Sequence, residues 1–349
     1  MTFMEKILEE PSYGWKDAHG DLVKPSNAVI LKEAWSRMNV FKDKRNWMAM
    51  INYGMILLMM PLLVLFFTKY FSFWLLGAMI IYAMIIISTH GTIWFHRYCT
   101  HRSFEFKNSF WRFVTQHLAI KTIPEEVYVI SHHVHHALSD EPGDPYNARA
   151  GYLYCMLSIA NHQSIAKDLT ESEFEKVSMF MSHTGVKCNT YEQYKKWGSV
   201  ATLRYTILTW LLNWAFWFTA LTLIGGPGLA CALFSGAMLW AALVPAFNYN
   251  GHGKGEVMHK EGIDFDRSNL SINQSRPGLF AGEWHNNHHL YPRSARAGFL
   301  PYQIDLAWIY IYCLSKIGGV SSYRDAKPLF LKKYAPERIK SEKISSEAA

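Results

Sequence analysis

The sequence lacks the cysteine patterns that build disulfide frameworks, iron–sulfur clusters or zinc–thiolate sites. It has five cysteines, and no two of them form a CxxC pair, so none of these structures is expected. Basic blocks interleaved with aromatic residues are also missing. The net charge of +7 therefore favours anionic lipid or an acidic soluble protein as a partner, and no nucleic acid is expected.

A cleavable signal peptide is not predicted either. The first 46 residues are polar and contain no short apolar core with a cleavage site, so the first apolar segment is expected to direct insertion into a membrane. Such segments are present, because long apolar blocks alternate with polar ones although the mean hydropathy is only -0.03. A bilayer core of about 30 Å needs about 20 apolar helical residues. Four segments meet this requirement: Trp47–Thr68, Phe71–Phe95, Tyr205–Ile224 and Leu229–Phe247.

Very short links join these segments in pairs. Only Lys69 and Tyr70 separate the first two, and the glycine-rich stretch 225–228 separates the last two, so each pair is predicted to form a helical hairpin. Positive charges cluster before the first segment and after the second. The positive-inside rule then places both termini and all large polar regions in the cytosol, at a bacterial inner membrane or the endoplasmic reticulum.

The predicted fold class is an all-α integral membrane protein with four transmembrane helices in two hairpins, capped by a cytosolic helical domain. Three mixed stretches, 110–120, 152–165 and 301–317, are expected to lie on the membrane surface as amphipathic helices. The predicted division is a cytosolic N-terminal segment (1–46), a first hairpin (47–95), a cap region (96–204), a second hairpin (205–247), a second cap region (248–323) and a polar tail (324–349).

Histidine carries the clearest chemical signal in the sequence. The chain has 16 histidines, and ten of them fall in four tight places near the predicted cytosolic ends of the membrane segments. These are His96 and His101; His132, His133, His135 and His136; His252; and His285, His288 and His289. Four such clusters, all near the same ends of the membrane segments, indicate a metal site rather than a chance distribution of histidines.

The spacing of these histidines suits metal binding. Residues i, i+3 and i+4 share one face of a helix, so each HxxHH cluster is predicted to point three imidazoles the same way. The pair His96/His101 does not share a face of a regular helix, and is expected to converge if His96 ends the span and the chain bends back. Nine or ten imidazoles exceed the needs of one ion. Two ions are implied, and without thiolates the ligand set suits redox-active iron better than four-coordinate zinc.

The order HxxxxH, HxxHH, HxxHH between two hairpins resembles the membrane-bound fatty-acid desaturases. The forms His96-Arg97-x-x-x-His101-Arg102-Ser103 and His285-Asn286-x-His288-His289 are similar to the delta-9, stearoyl-CoA type, branch. The resemblance implies a di-iron site in the cytosolic cap. It implies one iron held by His96, His101, His132, His136 and His288, and another held by His135, His252, His285 and His289, with Asn248 acting through a bound water.

Three further residues are candidates for supporting roles. The loop after the second cluster resembles the family's Asp-Pro loop, and Asp144 there could orient a ligand histidine; a plain polar turn is the alternative. Glu283 lies beside the last cluster, one position closer than the family's usual glutamate. His90 lies inside the second span and is predicted to bond to a ligand or a helix neighbour. His133 is expected to point away from the metals, and the remaining histidines are expected at the surface or in supporting positions.

The implied function is an oxygen-dependent desaturase that inserts a cis double bond, at the delta-9 position by resemblance, into a fatty acyl chain on CoA, lipid or acyl carrier protein. Since the sequence has no fused redox domain, a separate ferredoxin, rubredoxin or cytochrome b5 is implied as electron donor. Residues 129–131 replace the tryptophan and Arg-Asp pair usual in that branch, which leaves head-group recognition open. The alternatives are an acyl-chain hydroxylase or epoxygenase, a membrane metal transporter and a non-catalytic histidine-rich scaffold.

Overall fold

The computed structural model describes residues 2–256 and 284–334, and within these ranges helices dominate. The α-helices are Phe3–Lys6, Asn27–Met38, Trp47–Leu65, Phe73–Ile81, Ser88–Gly91, Ser109–Gln116, Glu125–Leu138, Tyr152–Met156, Ser158–Asn161, Glu171–Met179, Tyr191–Trp197, Leu203–Leu243, Pro245–Gly251, His285–Leu290 and Leu306–Lys316. Segments of π-helix are Phe66–Tyr70, Tyr82–Ile87 and Thr92–Thr100, and 3-10 turns are Lys44–Asn46, Ala148–Ala150 and Gly253–Gly255. Two short strands, Phe104–Phe106 and Val320–Tyr323, pair antiparallel.

Among the described residues, three helical segments are long and apolar enough to cross a membrane: Lys44–Tyr70, Phe73–Thr100 and Leu203–Leu243. The first two correspond to the first two predicted segments. The third contains the predicted segment Tyr205–Ile224 and most of Leu229–Phe247, whose last residues lie in the helix Pro245–Gly251. Fewer than a third of the residues in each apolar stretch are buried within the protein (22%, 28% and 17%). Such wide exposure of apolar side chains is stable in lipid rather than in water, so these segments mark the chain as a membrane protein.

The 41-residue segment Leu203–Leu243 reverses direction in its middle. Gly225 and Gly226 have non-helical backbone angles, and Gly226 has a φ of +79°, which favours glycine. The ring centroids of Phe218 and Phe234 lie 5.7 Å apart, although 16 residues of continuous helix would separate them by about 24 Å. The glycines therefore form a turn between two antiparallel arms, where the sequence predicts it. That both arms cross the bilayer stays a prediction.

The second apolar segment is longer than predicted and is fastened to the cap. It continues past Phe95 to Thr100. Near its end, the buried Arg97 pairs with Asp305, at 2.9 Å between Nη2 and the carboxylate, and donates to the carbonyl of Ala295 at 2.6 Å. Asp305 also caps the helix Leu306–Lys316 by accepting from the N–H of Trp308. This ion pair holds the chain that follows the last histidine cluster against the end of the membrane segment.

The three predicted surface helices differ from one another. The helix Ser109–Gln116 exposes Phe110 and Phe113, as a surface helix would. The helix Leu306–Lys316 exposes Ile309 and Tyr312 and buries Ile311.

The prediction is wrong for the stretch 152–165. Tyr154, Cys155 and Ala160 there are at most 1% exposed. The side chain of Asn161 donates to the carbonyl of Ile30 at 3.2 Å, so this stretch packs against the N-terminal helix Asn27–Met38 instead of facing lipid.

Part of the predicted polar tail also belongs to the folded cap. Phe330 and Tyr334 are buried and pack in one cluster with Phe299. Residues 335–349 lie outside the described residues.

Candidate metal centre

Nine histidines from four separate stretches of the chain converge inside the cap, at the ends of the apolar segments. Their ring nitrogens form two groups, and within each group the nitrogens lie within 4.8 Å of one another. The first histidine group consists of His96, His101, His132, His136 and His288. The second histidine group consists of His135, His252, His285 and His289. The two groups are neighbours, since the rings of His136 and His289 stack at 4.4 Å between centroids.

The nitrogens in each group have the spacing of ligands around one ion. In the first group, Nε2 of His288 lies 3.0 Å from Nε2 of His96 and 2.9 Å from Nε2 of His136. In the second, Nε2 of His285 lies 3.0 Å from Nε2 of His252. Imidazole nitrogens that bind one metal at about 2.1 Å and at right angles would lie about 3 Å apart. The observed distances therefore fit one ion in each group.

A π-helical turn brings His96 and His101 together. The N–H of His101 donates to the carbonyl of His96 at 3.1 Å, which is an i to i+5 bond. Their ring centroids are 4.8 Å apart. We predicted that His96 would end the span and that the chain would bend back. Instead the helix continues through Thr92–Thr100 with a wider turn, and this wider turn suits the five-residue spacing.

Each HxxHH helix divides its histidines between the two groups. On Glu125–Leu138, the first and last histidines of the motif enter the first group and His135 enters the second. On His285–Leu290 the pattern is reversed, because His288 alone enters the first group. The three imidazoles of each motif thus share a face, as predicted, but serve two positions. The resemblance, rather than the spacing, implied this division.

Several histidines of the two groups are held in the neutral form that binds metals. Burial, followed by the neighbouring imidazoles, holds the pKa well below its usual range in five of them: His101, His132, His136, His288 and His289. Nε2 of His101 is buried and has no hydrogen-bond partner within the described part of the chain. A buried nitrogen without a partner is costly unless a metal or water occupies its lone pair. The donor set therefore fits two metal ions with imidazole ligands.

Comparison with known proteins agrees with this chemistry. Residues 71–303, about two thirds of the chain, match the family model for fatty acid desaturases. The chain belongs to the fatty acid desaturase family.

Named relatives cover most of its length at low identity. It is 26% identical to icosanoyl-CoA 5-desaturase of Limnanthes douglasii over 304 residues, which cover 84% of this chain and 77% of the relative. It is 29% identical to acyl-CoA C20 Delta5-desaturase of Anemone leveillei over 253 residues (71% and 72%). It is 24% identical to sn-1 stearoyl-lipid 9-desaturase of Synechocystis sp. over 263 residues (73% and 74%).

Carboxylates of the desaturase lie next to two histidines of the second group. Oδ1 of the fully buried Asp144 accepts from Nδ1 of His135 at 2.9 Å, and the same carboxylate accepts from the backbone N–H of Asp140 and of Tyr146. With its proton fixed on Nδ1, His135 presents the lone pair of Nε2 to the group. Asp144 is thus in contact with a histidine, as the resemblance suggested. Asp140, another carboxylate of the same loop, lies 3.3 Å from Nδ1 of His252.

The other predicted residues lie in several places. Asn248 lies one turn before His252 and outside both histidine groups, so its water-mediated role stays a prediction. Glu283 lies outside the described residues. Nε2 of His90 bonds to the carbonyl of Thr115, on the helix Ser109–Gln116, at 2.8 Å. We expected a bond to a ligand or to a helix neighbour, and this partner belongs to a neighbouring helix.

Two histidines outside the groups are packed against aromatic rings. His133 stacks on Phe180, with centroids 4.2 Å apart, and points away from both groups, as expected. His162 was expected at the surface or in a supporting position, and it is fully buried. It bonds to the hydroxyl of Tyr13 and stacks on Tyr154 at 3.9 Å.

A cavity lies beside both histidine groups. Its lining includes His96 and His132 of the first group and His285 of the second. Its lining also includes Ser88, which precedes His96 on the same helical segment, and Trp240 of the segment Leu203–Leu243. The indole N–H of Trp240 donates to Oγ of Ser88 at 2.8 Å, so these two side chains form one wall.

Proposed function

We propose that this desaturase inserts a cis double bond into a saturated fatty acyl chain with the help of two iron ions. The observation that carries the proposal is the presence of two adjacent groups of buried imidazoles beside one cavity. The first iron would be held by His96, His101, His132, His136 and His288. The second would be held by His135, His252, His285 and His289, with Asn248 as a further ligand through water.

The chemistry divides between the metals and the protein. When bound, the irons would supply the oxygen-dependent oxidation that removes hydrogen from an unactivated methylene, which no side chain can do. The protein orients the ligand histidines, excludes water and holds two adjacent carbons of the substrate next to the metals. Asp144 contributes by fixing the tautomer of His135. Ser88 and Trp240, which line the cavity, would limit how deep the acyl chain can enter.

The substrate we propose is an acyl-CoA or an acyl lipid. The named relatives include an icosanoyl-CoA desaturase and a stearoyl-lipid desaturase, so their names support both carriers. These names also include both 5- and 9-desaturases. We propose the delta-9 position on the form of the histidine motifs, which is similar to the stearoyl-CoA type.

We further propose that both termini and the metal centre face the cytosol, and that a separate electron donor docks there. The support is the distribution of charge. Five cations precede the first apolar segment: Lys32, Arg37, Lys42, Lys44 and Arg45. The turn between the first and the second apolar segment carries only Lys69. A small ferredoxin, rubredoxin or cytochrome b5 with an acidic surface would complement the exposed Lys32, Lys42 and Lys44.

The test is expression of the full chain in a host that lacks unsaturated fatty acids. We expect new monounsaturated acids, with the double bond mapped at carbon 9, and no product from the His288→Ala variant. The His133→Ala variant is the matched control, because its ring lies outside both groups. Hydroxylated or epoxidised acids in place of alkenes would instead support the alternative oxygenase on the same scaffold. Unchanged host lipids with a competent electron donor present would contradict the proposal.

A further inference from the structure

The loop that follows the helix Glu125–Leu138 reaches back to the histidines of that helix. Residues 140–146, here called the 140–146 loop, begin with a turn in which the N–H of Glu141 bonds to the carbonyl of Leu138 at 2.8 Å. Asp140 has a φ of +65° and Gly143 a φ of +102°, both in the left-handed region. These angles turn the loop back toward the helix, so that two of its side chains reach Nδ1 of histidines on that helix.

The loop touches one histidine of each group on that helix. Asp144 accepts from Nδ1 of His135 at 2.9 Å. Tyr146, two residues later, has its hydroxyl oxygen 2.7 Å from Nδ1 of His132. The backbone N–H of Tyr146 donates to Oδ1 of Asp144 at 3.1 Å, so the two contacts are rigidly linked. His132 and His135 lie one helical turn apart, and each thus receives a partner on the ring nitrogen that faces away from its group.

The ring of Tyr146 is also placed against the centre. Its centroid lies 4.5 Å from that of His135, and the side chain lines the cavity together with His132. Tyr146 is 4% exposed and Asp144 is fully buried. A buried tyrosine with its hydroxyl on a histidine of one group and its ring on a histidine of the other is not explained by packing alone.

The direction of the hydrogen bond between His132 and Tyr146 follows if His132 is to bind a metal through Nε2. Nε2 of His132 faces the first group, where it lies 3.2 Å from Nε2 of His136. For Nε2 to bind a metal its lone pair must be free, so the proton of neutral His132 must reside on Nδ1. Nδ1–H then donates to the hydroxyl oxygen of Tyr146. The same logic gives the bond from His135 to Asp144, with a neutral phenol in place of a carboxylate.

We propose that Tyr146 is a positioning residue for the first metal: its hydroxyl oxygen holds His132 in the tautomer and orientation that present Nε2 to the first histidine group. Asp144 does the same for His135 in the second group, so one short loop sets a ligand of each metal. This inference rests on the proposed di-iron function, because it assigns a role toward metals bound by the two groups. Partners of this kind change metal affinity by about 10- to 100-fold when removed.

The test uses the Tyr146→Phe variant of the full chain in detergent. This change removes only the hydroxyl oxygen and keeps the ring against His135. Metal-free protein is titrated with cobalt(II), and binding is followed by visible absorption. We expect two cobalt ions per wild-type chain. In Tyr146→Phe the cobalt affinity of the first histidine group should fall by about 10- to 100-fold, and that of the second should stay unchanged. Asp144→Asn should instead weaken cobalt binding at the second histidine group and leave binding at the first histidine group unchanged.

The matched control is Tyr154→Phe. Tyr154 is also buried and its hydroxyl donates to the backbone carbonyl of Asp144 at 3.3 Å, but it touches no histidine of either group among the described residues. We expect this variant to bind both cobalt ions as the wild type does. Tyr146→Phe added to His132→Ala should cause no further loss, because the tyrosine is proposed to act through that ring.

The outcomes separate this inference from the function on which it rests. A wild-type chain that binds fewer than two cobalt ions would contradict the proposed di-iron function itself. A wild-type chain that binds two, with Tyr146→Phe indistinguishable from it, would overturn only the role of Tyr146. Equal weakening at both positions, or a further loss in the His132→Ala background, would also overturn it, because the effect would then not pass through His132.

Discussion

Replacement of Trp240 by alanine should let the desaturase accept longer acyl chains. The indole lines the cavity together with Ser88, which precedes His96 by eight residues and so lies about 12 Å along the helix from it. Removing the indole opens space beyond this wall. Each further methylene buried there contributes about 0.8 kcal/mol, so two methylenes contribute about 1.6 kcal/mol, or a preference of about 15-fold.

The assay is competition between saturated acyl chains that differ by two carbons, with products measured by gas chromatography and mass spectrometry. We expect Trp240→Ala to raise the ratio of longer to shorter products by on the order of tenfold, and Ser88→Ala to shift it in the same direction by less. Trp210→Ala is the control, since Trp210 is 1% exposed on the same helical segment but does not line the cavity. An unchanged ratio in a folded, active Trp240→Ala enzyme would refute the reasoning.

Three further predictions concern the metals and the stability of the cap. His288→Ala should lose the metal of the first group while His133→Ala keeps both, as measured by metal analysis of purified protein; equal contents would contradict the grouping. Burial raises the pKa of Glu126 from 4.5 to about 8, so the folded chain keeps a proton that the unfolded chain releases. Stability should therefore fall by a few kcal/mol as the pH rises from about 4.5 to about 8, and thermal unfolding of Glu126→Gln should lack this fall. Asp305→Ala removes the carboxylate that pairs with the buried Arg97 and should cost about 3–5 kcal/mol of unfolding free energy in denaturant titrations, whereas a loss below about 1 kcal/mol would contradict the role of this pair.

The apolar segments and the histidine clusters could be predicted because both depend on local pattern. Segment length reports the thickness of a bilayer, and the turn at Gly225 and Gly226 follows from residues that end helices. The division of histidines between two groups could not be derived from spacing alone, since His132, His135 and His136 all lie on one face. It came from the resemblance to a family, and the structure shows the same grouping.

Other features depend on contacts between distant parts of the chain, which a pattern does not report. The π-helical turn at Thr92–Thr100 is an exception, because the five-residue spacing from His96 to His101 equals the local i to i+5 bond of such a turn and could have indicated it. The burial of the stretch 152–165 depends on the N-terminal helix that packs against it. The contact of Tyr146 with His132 depends on the left-handed turn of the 140–146 loop.

The most direct test of the account is the metal content of the purified wild-type chain after expression with iron, measured together with its Mössbauer spectrum. The account predicts two iron ions per chain, both with nitrogen-rich coordination, and the loss of one of them in His288→Ala. One iron or none per chain, or zinc in both positions of an active enzyme, would contradict it.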